Sequence, residues 1–223
     1  MDKIIVINKP IGLTSNDVVQ IIKKSFGFKK VGHAGTLDPN ASGVLILGIN
    51  HATKLLSSLL LDDKEYIASI QFGYSTDTYD MEGKITNQTN KKIVVDKITN
   101  HINNLLQQTI IDQTPPLYSA IKKDGKKLYE YARNNISVQI EPRKVKLLEA
   151  NIISFNFESQ ILEIKLKVSK GFYVRSFAND LGLSLDNYAT LIKLIRTKSG
   201  NYSLEDAIDF DFSKYMNNKK LDT

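Results

Sequence analysis

The sequence predicts a chain of mixed α and β structure, and three observations carry that prediction. Apolar and polar residues alternate over 3–8, 63–74, 142–157 and 160–169, the period of a half-buried strand. Apolar residues instead return every three to four positions after Asp17 and after Asp96, the period of a helix with one buried face. The 223 residues are 42% hydrophobic, an ordinary share for a chain with a proper core, and are enough for one large domain or two small ones.

The elements follow in order. Residues 3–8 read as a short strand and Lys9-Pro10-Ile11-Gly12 as a turn. Thr14, Ser15 and Asn16 are good N-caps for a helix with Val18, Val19, Ile21, Ile22 and Phe26 on its apolar face, ending near Gly27. Residues 43–49 are apolar and short, as in a buried strand. Residues 52–61 read as a helix with Leu55, Leu56, Leu59 and Leu60 toward the core. After the strand at 63–74, the stretch GYSTDTYDMEG reads as a loop and 87–92 as a polar surface segment. A helix over 96–108 stops before Thr114-Pro115-Pro116, and Asp124-Gly125 marks a hairpin-like turn before a short helix through Arg133. Strands at 142–157 and 160–169 turn at Glu158-Ser159 and should pair antiparallel. Phe172-Tyr173-Val174-Arg175 then enters a helix running to about Leu185, a last strand ends at Gly200-Asn201, and Ser203 begins a short capped helix before a polar, loose tail.

Composition narrows the chemistry. The net charge of +6 suggests a polyanionic partner. The chain has no cysteine, which excludes disulfides, thiol chemistry and a cysteine metal site. His33, His51 and His101 lack metal-ligand spacing, so no metal is expected. No apolar run approaches the roughly 20 residues of a bilayer span, and MDKIIVINKP has no signal-peptide core. No membrane contact and a cytoplasmic location are expected.

The rest of the chain is arranged around GHAGTLDPNASGVL, residues 32–45. Gly32, Gly35 and Gly43 permit positive φ and close backbone approach, and Pro39 stiffens Asp38. An Asp-Pro step alone is ordinarily a turn or a cap. Lys23, Lys24, Lys29 and Lys30 cluster just before this loop, where they suit either a solvated face or phosphate contact. Lys122, Lys123, Lys126, Lys127 and Arg133 interleave with Tyr118, Tyr129 and Tyr131, a mixture suited to RNA. Asp77 and Asp80 do not have metal-loop spacing and fit Asx turns.

The strings NKPIGLTSNDVV, GHAGTLDPNASGVL, GINHATK, KEY, TDTYDMEG, PPLYSAIKKDGKKLYEYAR, GFYVRSFANDLG and LIR occur in that order from Lys9 to Gly200. Together they resemble one family closely, the bacterial tRNA pseudouridine-55 synthases of the TruB family. The resemblance implies the α+β pseudouridine synthase fold: a mixed, largely antiparallel sheet flanked by helices and loops, with the active-site cleft across it. It implies that Asp38 is the nucleophile and that Tyr66 stacks on the target base. Tyr173 and Arg175 would line the pocket, Arg175 pairing with Asp38. Asp80 would support the active site, Leu194 would form a pocket wall, and His33 would fill the space left by a flipped base. Lys9, Lys29, Lys30, Lys64, Lys122, Lys126 and Arg133 complete the residues expected at RNA. Phe172 departs from the threonine usual at its position.

The implied reaction breaks the N1–C1′ bond of uridine, turns the base and joins C5 to C1′. It involves no redox change or hydrolysis, so no cofactor is expected. Many relatives carry a small C-terminal RNA-binding PUA domain, and the roughly twenty residues after Gly200 are too few for one. The expected division is a catalytic domain at 1–210 and a short polar tail at 211–223. The expected partner is the T arm of tRNA, without guide RNA, and the chain is expected to be a monomer. The alternatives are a guide-RNA-dependent pseudouridine synthase and a tRNA-binding or tRNA-folding protein without catalysis.

Overall fold

Strand β1 (Lys3–Lys9) follows the alternation of KIIVINK and ends at the Lys9-Pro10 step. Helix α1 (Ser15–Ser25) begins with a reciprocal cap: the Thr14 hydroxyl accepts from Asp17 N, and the Asp17 carboxylate accepts from Thr14 N. The helix closes at Phe26, ahead of Gly27 at φ +64°. Strands β2 (Val31–Ala34) and β3 (Ala41–Ile49) flank the glycine-punctuated loop. This computed structural model describes residues 2–134 and 136–216; residues 217–223 of the expected tail lie outside the described residues.

The helix expected over 52–61 is instead a 3-10 stretch, Asn50–Leu55, followed by one helical turn, α2 (Leu56–Leu59). Thr53 Oγ1 donates to Asn50 O, a local bond that favours the tighter winding. Leu56 is buried, but Leu55 and Leu60 are exposed, so the expected apolar face is only partly realised. Next come β4 (Lys64–Phe72) and a hairpin of β5 (Tyr74–Thr76) with β6 (Ile85–Gln88). That hairpin replaces part of the expected loop; every β6 residue is exposed, so no apolar alternation announces it.

Helix α3 (Val95–Leu106) and strand β7 (Ile111–Gln113) precede a small hairpin, β8 (Lys122–Lys123) with β9 (Lys126–Lys127). The hairpin turns where expected, with Asp124 at φ +50° and Gly125 at φ +81°. Helix α4 (Leu128–Arg133) follows. The strand expected at 142–157 is broken at Lys146 into β10 (Arg143–Val145) and β11 (Leu147–Asn156), because β10 pairs with β7 whereas β11 pairs antiparallel with β12 (Ile161–Val168). Helix α5 (Val174–Ser184), β13 (Ala189–Ser199), β14 (Tyr202–Ser203), β15 (Ala207–Ile208) and the turn α6 (Ser213–Met216) complete the described chain. The expected loose tail therefore carries a helical turn, preceded by the buried Phe212. No helix among the described residues is long and apolar enough to cross a membrane.

The chain divides into two compact units, Met1–Ile67 with Lys193–Thr223, and Ala68–Ile192. In the first, β1 and β2 pair antiparallel with β3, while β15 pairs parallel with β1 and β13 parallel with β3. Strand alternation sends Ile5, Ile7, Leu45, Leu47 and Ile49 to the face that α1 covers with Val18, Val19 and Ile22. Val6, Val44 and Ile46 point the other way, against Ala34 and Leu56. Burial on both faces explains why β3 reads as a continuous apolar run. In the second unit, Leu162, Ile164, Leu166 and Val168 line the buried face of β12, and α3 packs on β11. Helix and strand are both present in quantity and the pairing is mixed and mainly antiparallel, as the α+β expectation requires.

Candidate active site

In the first unit, the Asp38 loop is pinned on both sides of the carboxylate. Ser15 Oγ donates to Leu37 O at 3.1 Å and accepts from Leu37 N at 2.9 Å. Gly12 N donates to Pro39 O at 2.9 Å, and Asp38 O accepts from Ala41 N at 3.0 Å. Lys9 is fully buried, and its ammonium donates to Pro10 O, Leu13 O and Pro39 O. The chemistry of NKPIGLTS is thus the fixing of one loop: its lysine, glycine and serine each reach a main-chain group beside Asp38.

Arg196 fixes the other approach. It is 1% exposed, and its Nε donates to Val44 O at 2.7 Å and its Nη2 to Gly35 O at 3.0 Å. Gly43 sits at φ +108° with the Arg196 main chain against it; a Cβ there would lie 2.2 Å from Arg196 O. Leu194 is in register with Ala41, so its half-buried side chain stands on the strand position beside the end of the Asp38 loop. Asp38 itself is half-buried, a carboxylate on an immobilised main chain. His33 precedes the loop on β2. Its Nδ1 is buried, with no hydrogen-bond partner among the described residues. Burial, then the Arg196 charge, pushes its pKa below the ordinary histidine value, so the ring is neutral at neutral pH. Tyr66 is buried on β4.

In the second unit, the elements position a buried arginine. Arg175 lies in the first turn of α5 at 5% exposure. Its Nη1 donates to Thr78 O at 3.1 Å and its Nη2 to Tyr118 O at 2.9 Å, while Asp80 Oδ2 stands 3.6 Å from Nη1. Asp80 is in turn held by its own loop. Thr78 Oγ1 donates to Asp80 Oδ1 at 2.6 Å, Glu82 N donates to the same oxygen, and Thr76 Oγ1 donates to Asp80 O. Gly83 is required there, since a Cβ would lie 2.4 Å from both Asp77 Oδ1 and Thr78 Oγ1. The string TDTYDMEG is therefore a device for presenting one carboxylate to one guanidinium. Tyr173 is the N-terminal flanking residue of α5, and its main chain exchanges two hydrogen bonds with the side chain of Gln113.

The expected RNA-contact residues divide by exposure. Lys29 and Lys30, after α1, are exposed, as are Lys122, Lys126 and Arg133 in the segment between β7 and β10. In that segment Lys127 Nζ and Arg133 Cζ lie 5.3 and 5.4 Å from the Tyr129 ring centroid. Lys9 and Lys64 are corrections to the expected set. Both are buried, and the Lys64 ammonium donates to Leu60 O and Asp62 O as Lys9 does to its own carbonyls. An ammonium desolvated among main-chain carbonyls serves the loop and is not presented to a phosphate. Asp80, expected to support the active site and counted with the RNA-contact residues, faces Arg175.

Two residues of this arrangement are not singled out by sequence. Arg196 stands in the string LIR, but a charged residue on a strand gives no sign that it is buried. Gln113 carries no signal beyond its place before Thr114-Pro115-Pro116.

Comparisons with known proteins bear on the whole chain. The model of the TruB family pseudouridylate synthase (N terminal domain) matches residues 23–174. A tRNA pseudouridine synthase B of Ureaplasma urealyticum is 58% identical over 216 residues, 96% of this chain and 94% of that protein. One from Fusobacterium nucleatum is 44% identical over 92% of this chain and 70% of its own length. Among solved structures, a chain in the crystal structure of a Cbf5-Nop10-Gar1 complex matches with a TM-score of 0.69 and 29% identity over 90% of this chain. This chain spans about half, 49%, of that one.

Proposed function

The chain belongs to the TruB family of pseudouridylate synthases, and from that premise we propose that it isomerises uridine 55 in the T loop of tRNA to pseudouridine. The observation that carries this reading is the Asp38 loop: a carboxylate whose neighbours at 35, 37, 39 and 41 are each tied to the fold. Such a loop suits a nucleophile that must meet a sugar carbon at fixed distance.

In this reading the target base leaves its stack at a cost of a few kcal/mol, and neutral His33 takes the vacated space. The Asp38 carboxylate promotes cleavage of the N1–C1′ bond, and Arg175 is assigned to the same reaction. The freed uracil turns against the Tyr66 ring, and Leu194 walls the pocket. C5 then joins C1′, the C5 proton departs and N1 regains one, so atoms balance with no cofactor. Tyr173 is assigned as the proton acceptor or as the holder of a water that is. The exposed Lys29, Lys30, Lys122, Lys126 and Arg133 take the phosphates of the T arm. The catalytic domain is residues 1–210, working as a cytoplasmic monomer without guide RNA.

The experiment is pseudouridine mapping on an unmodified tRNA transcript, with purified protein and no metal, nucleotide or second RNA. Wild type modifies the T-loop uridine, and Asp38→Asn binds the tRNA but leaves it unmodified. Modification by both proteins would move the nucleophile elsewhere. Modification by neither, with tight binding retained, would return the chain to a tRNA-folding role or to a guide-dependent reaction.

A further inference from the structure

The connection between Gln113 and Tyr173 has no part in the roles assigned so far. Gln113 is 3% exposed, and its side-chain amide faces the main chain just ahead of α5. Tyr173 N donates to Gln113 Oε1 at 2.7 Å, and Gln113 Nε2 donates to Tyr173 O at 3.1 Å. This is the exchange of a narrow β pair, made by a side chain in place of a strand. Helix α5 has no side-chain N-cap, so this amide satisfies a main-chain group that the helix start leaves open. Ser176 Oγ donates to Thr114 O at 2.7 Å, and Arg175 Nη2 to Tyr118 O, so the first turn of α5 is stitched to residues 113–118 along its length.

The position of Gln113 in the chain adds a second point. Gln113 forms the last rung of the β7–β10 ladder, opposite Arg143. The basic hairpin and α4 lie in the chain between the two strands of that rung. The residue that holds the start of α5 is thus also the root of the segment that carries Lys122, Lys126 and Arg133.

We propose that Gln113 is a positioning residue for the reaction: by exchanging two hydrogen bonds with Tyr173 it sets the direction in which α5 presents Arg175. The proposal rests on the assignment of Arg175 to the reaction. Its chemical content is that one planar group must accept and donate at the same time. A carboxylate of the same size accepts only, and would set a lone pair against Tyr173 O. A protonated carboxyl again accepts through one oxygen and donates through the other. Glutamate at this position should therefore be defective when ionised and repaired by acid.

The test is Gln113→Glu, with single-turnover pseudouridine formation on a tRNA transcript measured against wild type between pH 5.5 and 8.5. At the alkaline end the variant is expected to be slower by about 100-fold, with tRNA affinity within about threefold of wild type. The deficit should shrink to less than about fivefold at the acid end, because burial at this position raises the carboxyl's pKa and protonation there restores the donor. Gln113→Leu loses rate at every pH. Ser176→Ala removes a neighbouring bond between the same two segments and leaves the amide exchange intact; it slows the reaction by at most about threefold, with no pH dependence. Hydrogen-exchange protection at the start of α5 follows the same pattern without any reaction. A Gln113→Glu deficit equal at all pH values, or a rate equal to wild type at pH 8.5, overturns the proposal. Wild type that forms no pseudouridine defeats the functional reading, and this proposal with it; wild type that does, matched by the variant, defeats this proposal alone.

Discussion

The residues around Asp38 and Arg175 show how much of a site is spent on holding its main chain. Lys9, Ser15 and Arg196 are buried polar side chains, each bonded to carbonyls or amides of the loop, and in the second unit the buried Gln113 does the same for the start of α5, while Asp80 faces the Arg175 side chain. Burying such groups is costly, and the cost is offset because every one closes a hydrogen bond that a loop of irregular backbone would leave open. His33 differs: its buried Nδ1 has no hydrogen-bond partner among the described residues, and its pKa is lowered. The consequence for stability has a definite sign. The unfolded chain takes up a proton near pH 6.5, while the folded ring resists it, so stability falls as pH drops through 6.5 toward the lower folded value. Urea unfolding at pH 7.5 and 5.5 should show a loss in wild type that is smaller in His33→Gln. His101, also lowered by burial, leaves part of the loss in both proteins. An equal loss in the two would remove His33 from the pH response.

At the scale of elements, the site depends on contacts between strands that are distant in sequence. Strand β13 lies parallel to β3, with Arg196 opposite Gly43. The absence of a side chain at Gly43 is what allows the two main chains to approach. Alanine there would place a Cβ 2.2 Å from Arg196 O on a backbone at φ +108°. Gly43→Ala should cost about 3 kcal/mol or more, which for a chain of this size is a fall of about 6–12 °C in Tm. Calorimetry of the variant measures this. A Tm within about 2 °C of wild type would mean that β3 and β13 can part without loss. The hairpin of β5 and β6 makes the opposite point. Its second strand is wholly exposed and forms because the turn between its strands is held by Asp77, Asp80 and Gly83, not because an apolar face must be buried.

For the molecule as a whole, the relevant property is charge. The net charge is +6, and four of its cations, Lys9, Lys64, Arg175 and Arg196, are buried against main-chain carbonyls, so the exposed lysines and arginines are the ones open to a polyanion. Lys23 and Lys24 in the last turn of α1, with Lys29 and Lys30 beyond it, form the densest cluster near the Asp38 loop in sequence. Replacing all four by glutamine should weaken tRNA binding and reduce the slope of log affinity against log salt by about 3, close to one counterion for each phosphate that is no longer neutralised. Filter binding across a salt series measures both. An unchanged slope would show that these lysines face solvent in the complex and that the segment between β7 and β10 meets the phosphates instead.

Much of this protein is legible in its residues in order. The helix start among Thr14, Ser15 and Asn16, the turn at Asp124-Gly125, the antiparallel pair of β11 and β12 and the continuous apolar run of β3 follow from local periodicity and turn chemistry, which act over a few residues. The ordered strings from Lys9 to Gly200 suffice to indicate the family and to single out Asp38, Tyr66, Tyr173 and Arg175 as the residues to assign. What only the tertiary structure decides is which polar residues are inside. Lys9 and Lys64 read as RNA contacts in sequence, Gln113 and Arg196 carry no sign of burial there, and Leu55 and Leu60 read as core. The reason is physical: burial and hydrogen bonding of a side chain are set by groups brought together from remote parts of the chain, here Arg196 against Gly35 and Val44 and Gln113 against Tyr173, and no periodicity along the sequence encodes those meetings.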